Sequence, residues 1–269
     1  MKLTIITINK NNVDGLAKTI RSVLSQNFTD YEFIIIDGGS SDGSYELIKK
    51  NEDRLTFWSS QPDSGIYNAM NKGIKKATGE YCLFVNSGDM LCNDNVLTNI
   101  IKQNLSEDII SGNALVDEKG KSPQIVKAPK EISFYIFFQH TILHQVTLIR
   151  SSLFEDVGYY NEDFKIVADW EFFIKALFLY QSSYKAIDVT ISIFDNNGIS
   201  SRPENLPVSF RERDEVLQKY FPYLLSDYRL LQPRSTFDFL QNIKKLKILR
   251  GIFIVTCRII NKLFKIISR

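Results

Sequence analysis

The chain has 269 residues, of which 44% are hydrophobic, 24% charged and 12% aromatic. This excludes a disordered, collagen-like or disulfide-scaffold protein and leaves ample material for a large core. Thirty-three basic against thirty-one acidic residues give +2, but the charge is unevenly placed. Eight basic residues and no acid fall between Asn242 and Arg269, leaving twenty-five basic against thirty-one acidic, or −6, on the rest.

Cys82, Cys92 and Cys257 form no C-x-x-C pair, which fits a reducing compartment. Met1-Lys2 runs straight into Leu3–Ile8, an apolar run too short for a secretory signal, and Gly251–Cys257 is far too short to span a bilayer. The expectation is a cytoplasmic body.

In chain order, Leu3–Ile8 reads as a buried strand, followed by a helix over Val13–Gln26 and a strand at Tyr31–Ile36. A helix over Ser44–Asn51, a short strand at Leu55–Trp58, a helix over Tyr67–Ala77 and a strand at Tyr81–Val85 come next. Such alternation predicts βαβ units and a mostly parallel sheet, with ligands beyond the carboxyl ends of the strands. Those ends carry Thr7-Ile8-Asn9, Asp37-Gly38-Gly39-Ser40 and Asn86-Ser87-Gly88-Asp89. Further on, Asp108–Val116 and Gln124–Lys127 read as strands, Phe134–Phe138 as an aromatic cluster and His144–Arg150 as a strand. Asp169–Tyr180 reads as a helix, Asn196–Ser201 as a loop, and Pro203–Pro233 as one or two helices.

Asp37-Gly38-Gly39-Ser40-Ser41-Asp42-Gly43-Ser44 resembles the first nucleotide-binding signature of family 2 glycosyltransferases. Pro62-Asp63-Ser64-Gly65-Ile66-Tyr67-Asn68-Ala69-Met70-Asn71-Lys72-Gly73-Ile74 resembles their second, in the version typical of bacterial O-antigen and capsule enzymes. Asn86-Ser87-Gly88-Asp89 stands where the family has its acidic metal motif. His144-Gln145, Ala168-Asp169-Trp170-Glu171 and Gly198-Ile199-Ser200 follow in the family's order.

The resemblance, covering residues 1–205, implies a GT-A, Rossmann-like α/β fold with a mixed, mostly parallel sheet and C-terminal helices. Within it, 1–115 is the nucleotide-sugar half and 116–205 the acceptor half, with a helical extension at 206–241. The implied reaction is inverting hexosyl or N-acetylhexosaminyl transfer from a nucleotide sugar, a UDP-sugar by preference. The implied acceptor is a polyprenyl-diphosphate-linked glycan in O-antigen, capsule or lipopolysaccharide assembly. A non-catalytic sugar-nucleotide-binding protein and a peripheral membrane scaffold with a vestigial transferase fold are the alternatives.

By the same resemblance, Thr7, Asn9, Asp37, Gly39, Asp63, Gly65 and Asn71 are candidates for the nucleotide. Asp37 at a strand end can accept from a base N–H, and the neighbouring glycines admit close backbone approach; a turn with Asp42 capping the next helix is the bland alternative. A diphosphate leaving group calls for a hard cation, Mn2+ or Mg2+, held by one or two carboxylates. Only the last acid of the family's Asp-x-Asp-Asp survives, so Asp89 is the candidate ligand, unless Asp89 or Asp94 caps the following helix. Asp169 is the candidate general base with Glu171 in reserve, the alternative being charge complementing a helix N-terminus. Ser87, Gly88, His144, Gln145, Gly198 and Ser200 are candidate donor or acceptor contacts.

His140 and His144 lack the Glu of a zinc helix, and no phosphate-loop or dinucleotide fingerprint occurs. The Phe134–Phe138 and Phe172–Phe178 aromatics read as core, and no nucleic-acid partner is expected. At helical pitch, Leu246, Leu249, Phe253, Cys257, Ile260, Phe264 and Ile267 share one stripe opposite Lys244, Lys247, Arg258, Lys262, Lys265 and Arg269. Residues 242–269 therefore read as an interfacial helix for an anionic bilayer, placing the protein peripherally at the cytoplasmic face of the inner membrane. A helix packed on the body or on a second copy is the alternative.

Overall fold

A computed structural model of the chain describes residues 3–116, 123–194 and 202–231. The predicted loop around Asn197, Gly198 and Ser200 and the basic segment 242–269 lie outside these residues.

The apolar runs of the first half form the parallel strands Leu3–Asn9 (β1), Tyr31–Asp37 (β2), Phe57–Ser60 (β3) and Tyr81–Phe84 (β4). β1 and β2 are buried almost throughout, as continuous β-branched runs require when helices cover both faces. The connecting helices are Val13–Leu24 (α1), Ser44–Lys50 (α2) and Ile66–Ile74 (α3). Leu16, Ile20 and Val23 form the buried stripe of α1, and the Asn12 side chain caps the helix by accepting from Gly15 N.

The second half comprises Met90–Leu91 (β5), Val96–Ile101 (α4), Ile109–Val116 (β6), Gln124–Val126 (β7), Phe134–Gln139 (α5), Thr147–Arg150 (β8) and Leu153–Asp156 (α6). It continues with Ala168–Phe178 (α7), Tyr184–Phe194 (β9), Leu206–Tyr220 (α8) and Leu225–Leu231 (α9). The nine described strands make one sheet in the order β3-β2-β1-β4-β8-β6-β9-β5, with β7 beside β6. β8 pairs antiparallel with β4 and β6, while β6 and β9 run parallel. The mixed GT-A-type α/β sheet expected from the sequence is present.

Three local readings need correction. The strand expected over His144–Arg150 begins only at Thr147, because His144–Val146 forms a single 3-10 turn. No helix follows Asp89 directly: β5 does, and α4 takes Asn95 as its N-cap, so neither Asp89 nor Asp94 caps it. Gly43, not Asp42, is the N-cap residue of α2, although the Asp42 carboxylate still accepts from Ser44 N and Val13 N. β9 was not foreseen.

Two compact units emerge, Met1–Tyr220 and Phe221–Arg269, the first including α8. In the second, α9 is the described helix. Among the described residues no helix is long and apolar enough to cross a membrane.

At the amino ends of the strands, Glu32 is 2% exposed and ties three segments together. Its carboxylate accepts from Thr4 Oγ1 at 2.6 Å, Thr78 N at 2.8 Å, Gly79 N at 3.2 Å and the Thr78 hydroxyl. Glu32 lies five residues, or about 16 Å, from the ligand-binding end of β2. Glu32→Leu leaves these buried donors short of acceptors and should cost about 2–4 kcal/mol. A urea unfolding series checks this, and an unchanged midpoint would refute the assignment.

Candidate active site

The carboxyl ends of β1 and β2 lie in register at Asn9 and Asp37. Asp37 is fully buried. Its Oδ1 accepts from Asn9 Nδ2 at 2.7 Å and Ser40 Oγ at 2.6 Å, and its Oδ2 from Ser40 N at 2.9 Å and Ser60 Oγ at 2.6 Å. Burial works against its charge, but the Ser40 and Ser60 hydroxyls, the Ser40 N–H and the Asn9 amide outweigh it and hold the carboxyl below the usual range. Asp37 is thus the fastening of its own loop, and a nucleobase N–H would have to compete with four internal donors.

Asp63 lies over that loop. A Cβ built on Gly38 would sit 2.2 Å from Asp63 Oδ2, so only glycine allows this approach. Lys10 Nζ stands 3.8 Å from Asp63 Oδ1, which also accepts from Gly65 N at 3.1 Å. Asn9, Asp37, Gly39, Asp63 and Gly65 are therefore gathered at one place, as expected. Thr7 serves differently: its hydroxyl donates to Val85 O at 2.6 Å and ties β1 to the end of β4.

The loop after β4 is held by α1. Thr19 Oγ1 donates to Asp89 O at 2.7 Å and accepts from Gly88 N at 3.0 Å, while Asn12 Nδ2 donates to Ser87 O at 3.0 Å. Gly88 has φ +108°, a conformation that favours glycine. Asp89 is 9% exposed, and among the described residues no group of three or more His, Cys, Asp or Glu forms a metal cage. The donor set is one carboxylate on a loop whose Asn86 Oδ1 is buried without a hydrogen-bond partner. That fits a hard cation of the kind that keeps waters and takes its remaining oxygens from substrate phosphates.

The centre of the site is Asp169, second residue of α7 and 13% exposed in its side chain. Its Oδ1 accepts from Tyr67 OH of α3 at 3.0 Å, and its Oδ2 lies 3.2 Å from His144 Nδ1. The far imidazole nitrogen, Nε2, is 3.2 Å from Asn86 Nδ2. Segments 102 residues apart in sequence thus meet in one hydrogen-bonded line, Asn86–His144–Asp169–Tyr67. The 3-10 turn at His144, in place of a strand, is what delivers the imidazole here. Burial alone would push the Asp169 carboxyl up; the His144 hydrogen bond and charge, then the Tyr67 hydroxyl, hold it below the usual carboxylate range. Burial, reinforced by the Asp169 charge, keeps the Tyr67 phenol well above its usual value, so it stays a donor.

Other expected residues do not reach this line. Glu171 is 5% exposed and bonds to Tyr220 and Asn161, and burial pushes its carboxyl up, so the reserve base faces away from Asp169. Asn71, expected at the nucleotide, spends its amide on protein: Nδ2 donates to Tyr160 O at 2.8 Å and Glu162 Oε1 at 2.9 Å, and Oδ1 accepts from Tyr160 N at 3.1 Å. Ser87 Oγ donates to Asn12 O at 3.3 Å, and Gln145 is buried. Sequence reasoning quoted Tyr67 and Asn86 inside motifs without giving either a role; a phenol and an amide beside acidic positions were the available signal.

The family model for glycosyl transferase family 2 matches residues 4–149. An uncharacterized glycosyltransferase of Mycobacterium tuberculosis is 32% identical over 75% of this chain and 78% of its own length. The chain belongs to glycosyl transferase family 2. A PGL/p-HBAD biosynthesis glycosyltransferase of Mycobacterium bovis is 27% identical over 64% of this chain and 68% of its own. Among solved structures, Staphylococcus aureus TarS 1–349 in complex with UDP-GlcNAc matches with TM-score 0.65 at 18% identity, covering 89% of this chain and 76% of that one. In its UDP complex the covered share of that chain is 66%. The mannosyltransferase PcManGT of Pyrobaculum calidifontis, in complex with GDP-Man and Mn2+, matches with TM-score 0.61 at 13% identity over 81% of this chain and 63% of that one. At these identities the solved structures establish the shared fold. This glycosyltransferase carries Asp169 beyond the stretch the family model matches.

Because its folded value is lowered, Asp169 stabilises the fold fully above its unfolded value of about 3.9, and that contribution is lost as pH falls through the folded value. Tyr67→Phe removes one donor to the ionised form. The carboxyl should then rise toward its usual value and the acid-unfolding midpoint should move to higher pH. Parallel acid titrations of the two proteins by circular dichroism check this; coincident curves would refute it.

Proposed function

We propose that this glycosyltransferase moves a sugar, with inversion, from a UDP-sugar to a lipid-linked glycan at the cytoplasmic face of the inner membrane. The observation that carries the reading is the Asp169 carboxylate. It is held ionised and oriented by Tyr67 and His144, and joined through His144 to Asn86 on the loop bearing Asp89. UDP and UDP-GlcNAc in the staphylococcal structures support a nucleotide-diphosphate donor of the hexosyl or N-acetylhexosaminyl class. The PGL/p-HBAD relative widens the acceptor beyond O-antigen, capsule and lipopolysaccharide.

In this reading Asp37, Asp63 and the glycines between them shape the pocket for the nucleoside. The acceptor hydroxyl attacks the anomeric carbon from the face opposite the diphosphate. Tyr67, His144 and the Trp170 N–H occupy three of the four acceptor sites of the Asp169 carboxylate, and in this reading the fourth takes the hydroxyl proton as the new C–O bond forms. The bond from the anomeric carbon to the diphosphate oxygen breaks, and the nucleoside diphosphate departs. Asp89 would hold a divalent cation, Mn2+ or Mg2+, which would supply charge neutralisation for that leaving group. The basic segment 242–269, amphipathic in sequence, brings the enzyme to the bilayer that carries the acceptor.

The test is release of nucleoside diphosphate from UDP-GlcNAc, UDP-glucose, UDP-galactose or GDP-mannose, with a membrane extract as acceptor and Mn2+ or Mg2+ added. One donor should be turned over; Asp169→Asn should lower kcat at least 100-fold, as loss of a positioned base does, and Asp89→Ala should remove the metal-dependent part. Deleting residues 242–269 should abolish pelleting with anionic vesicles while donor binding persists. No turnover of any donor would sink the enzymatic reading, and vesicle binding by the truncated chain would sink the membrane one.

A further inference from the structure

We infer that Glu212, on α8, is a positioning residue for the general base. This rests on the reading of Asp169 as that base. Val167, the N-cap residue of α7, offers no side-chain cap, so the first turn of the helix carrying Asp169 lacks the usual local fastening. Glu212 supplies it from elsewhere in the fold. Its carboxylate is 3% exposed and accepts from three consecutive backbone N–H groups: Lys165 at 2.9 Å, Ile166 at 3.0 Å and Val167 at 3.2 Å. A buried anion bonded to the residues entering a helix N-terminus also complements the helix dipole. These three residues immediately precede Ala168 and Asp169.

A second clamp holds the other end of the same approach segment. Asn71 fixes Tyr160 through both its amide atoms, and Asn68 Nδ2 and Asn71 Nδ2 donate to the two Glu162 oxygens at 2.7 and 2.9 Å. Residues 160–167 are thus fastened by α3 at one end and α8 at the other, and the chain runs on from them into Ala168 and Asp169. The sequence placed residues 206–241 outside the transferase domain; the carboxylate of Glu212 makes α8 part of the catalytic apparatus by way of α7. Displacing the base by about 1 Å can cost 100-fold in rate, which gives a buried carboxylate 43 residues downstream of Asp169 its consequence.

The test is Glu212→Gln in the full chain, beside Asp169→Asn, with two readouts. The chain has two histidines, so the His144 and His140 ring resonances can be followed by NMR without any substrate. In Glu212→Gln the His144 resonance should move in the same direction as in Asp169→Asn, with His140 unmoved. For whichever of UDP-GlcNAc, UDP-glucose, UDP-galactose and GDP-mannose is turned over, kcat should fall about 10- to 100-fold with the donor KM held within about twofold. Combining the two substitutions should lower kcat little beyond Asp169→Asn alone.

An unmoved His144 resonance with kcat retained would overturn the inference. So would a joint loss of kcat, donor affinity and both resonances, the mark of general unfolding. Should Glu212→Gln fail to fold, Glu212→Asp, one methylene shorter but still anionic, is judged by the same two readouts. Full turnover by Asp169→Asn would overturn the base reading instead, while the resonances still decide whether Glu212 sets the position of that carboxylate.

Discussion

A carboxylate drawn out of water must be compensated by donors, or it surrenders its charge. At Asp169 the compensation comes from Tyr67 on α3 and from His144 on the turn before β8, and Asn86 after β4 supports the imidazole in turn. No single element of the fold could supply all of these. One buried anion therefore gathers donors from segments about a hundred residues apart. The parallel strands present their carboxyl ends to one region, and the antiparallel insertion of β8 between β4 and β6 carries His144 up to it.

The same sheet carries two buried carboxylates at its opposite ends, with different duties. Glu32 at the amino end of β2 is surrounded by donors from Thr4, Thr78 and Gly79 and holds the architecture. Asp37, five residues on, saturates both oxygens with donors from its own neighbourhood and fastens the loop after β2. Asp169 accepts from Tyr67, His144 and the Trp170 N–H, one donor fewer than Asp37.

Much of the first half was legible because its strands are continuous apolar runs ended by Gly-rich turns, and parallel βαβ units leave little choice of topology. β9 was not expected, although Ile187, Val189, Ile191 and Ile193 alternate with polar Asp188, Thr190 and Ser192 in the pattern of a half-buried strand. Asp169 was legible through its motif. The role of Asn71 was not: an Asn in a nucleotide signature and an Asn clamping a backbone turn are the same letter, and only the position of Tyr160 and Glu162, about ninety residues away, distinguishes them. Glu212 was invisible for the same reason, since nothing near it in sequence marks the three N–H groups it gathers.

The reduced acidic motif becomes intelligible from the imidazole outward. Asn86 occupies the first position of the family's Asp-x-Asp-Asp, and its amide stands 3.2 Å from His144 Nε2. A carboxylate there would compete with Asp169 for one imidazole and weaken the donor that keeps Asp169 ionised. An amide, being uncharged, stands within hydrogen-bond reach of Nε2 without that competition. In the proposed reading, an amide at this position lowers the charge available to a cation and leaves the His144 imidazole to Asp169. In the proposed mechanism the two ends of the reaction, proton and diphosphate, are then served by separate carboxylates, Asp169 and Asp89.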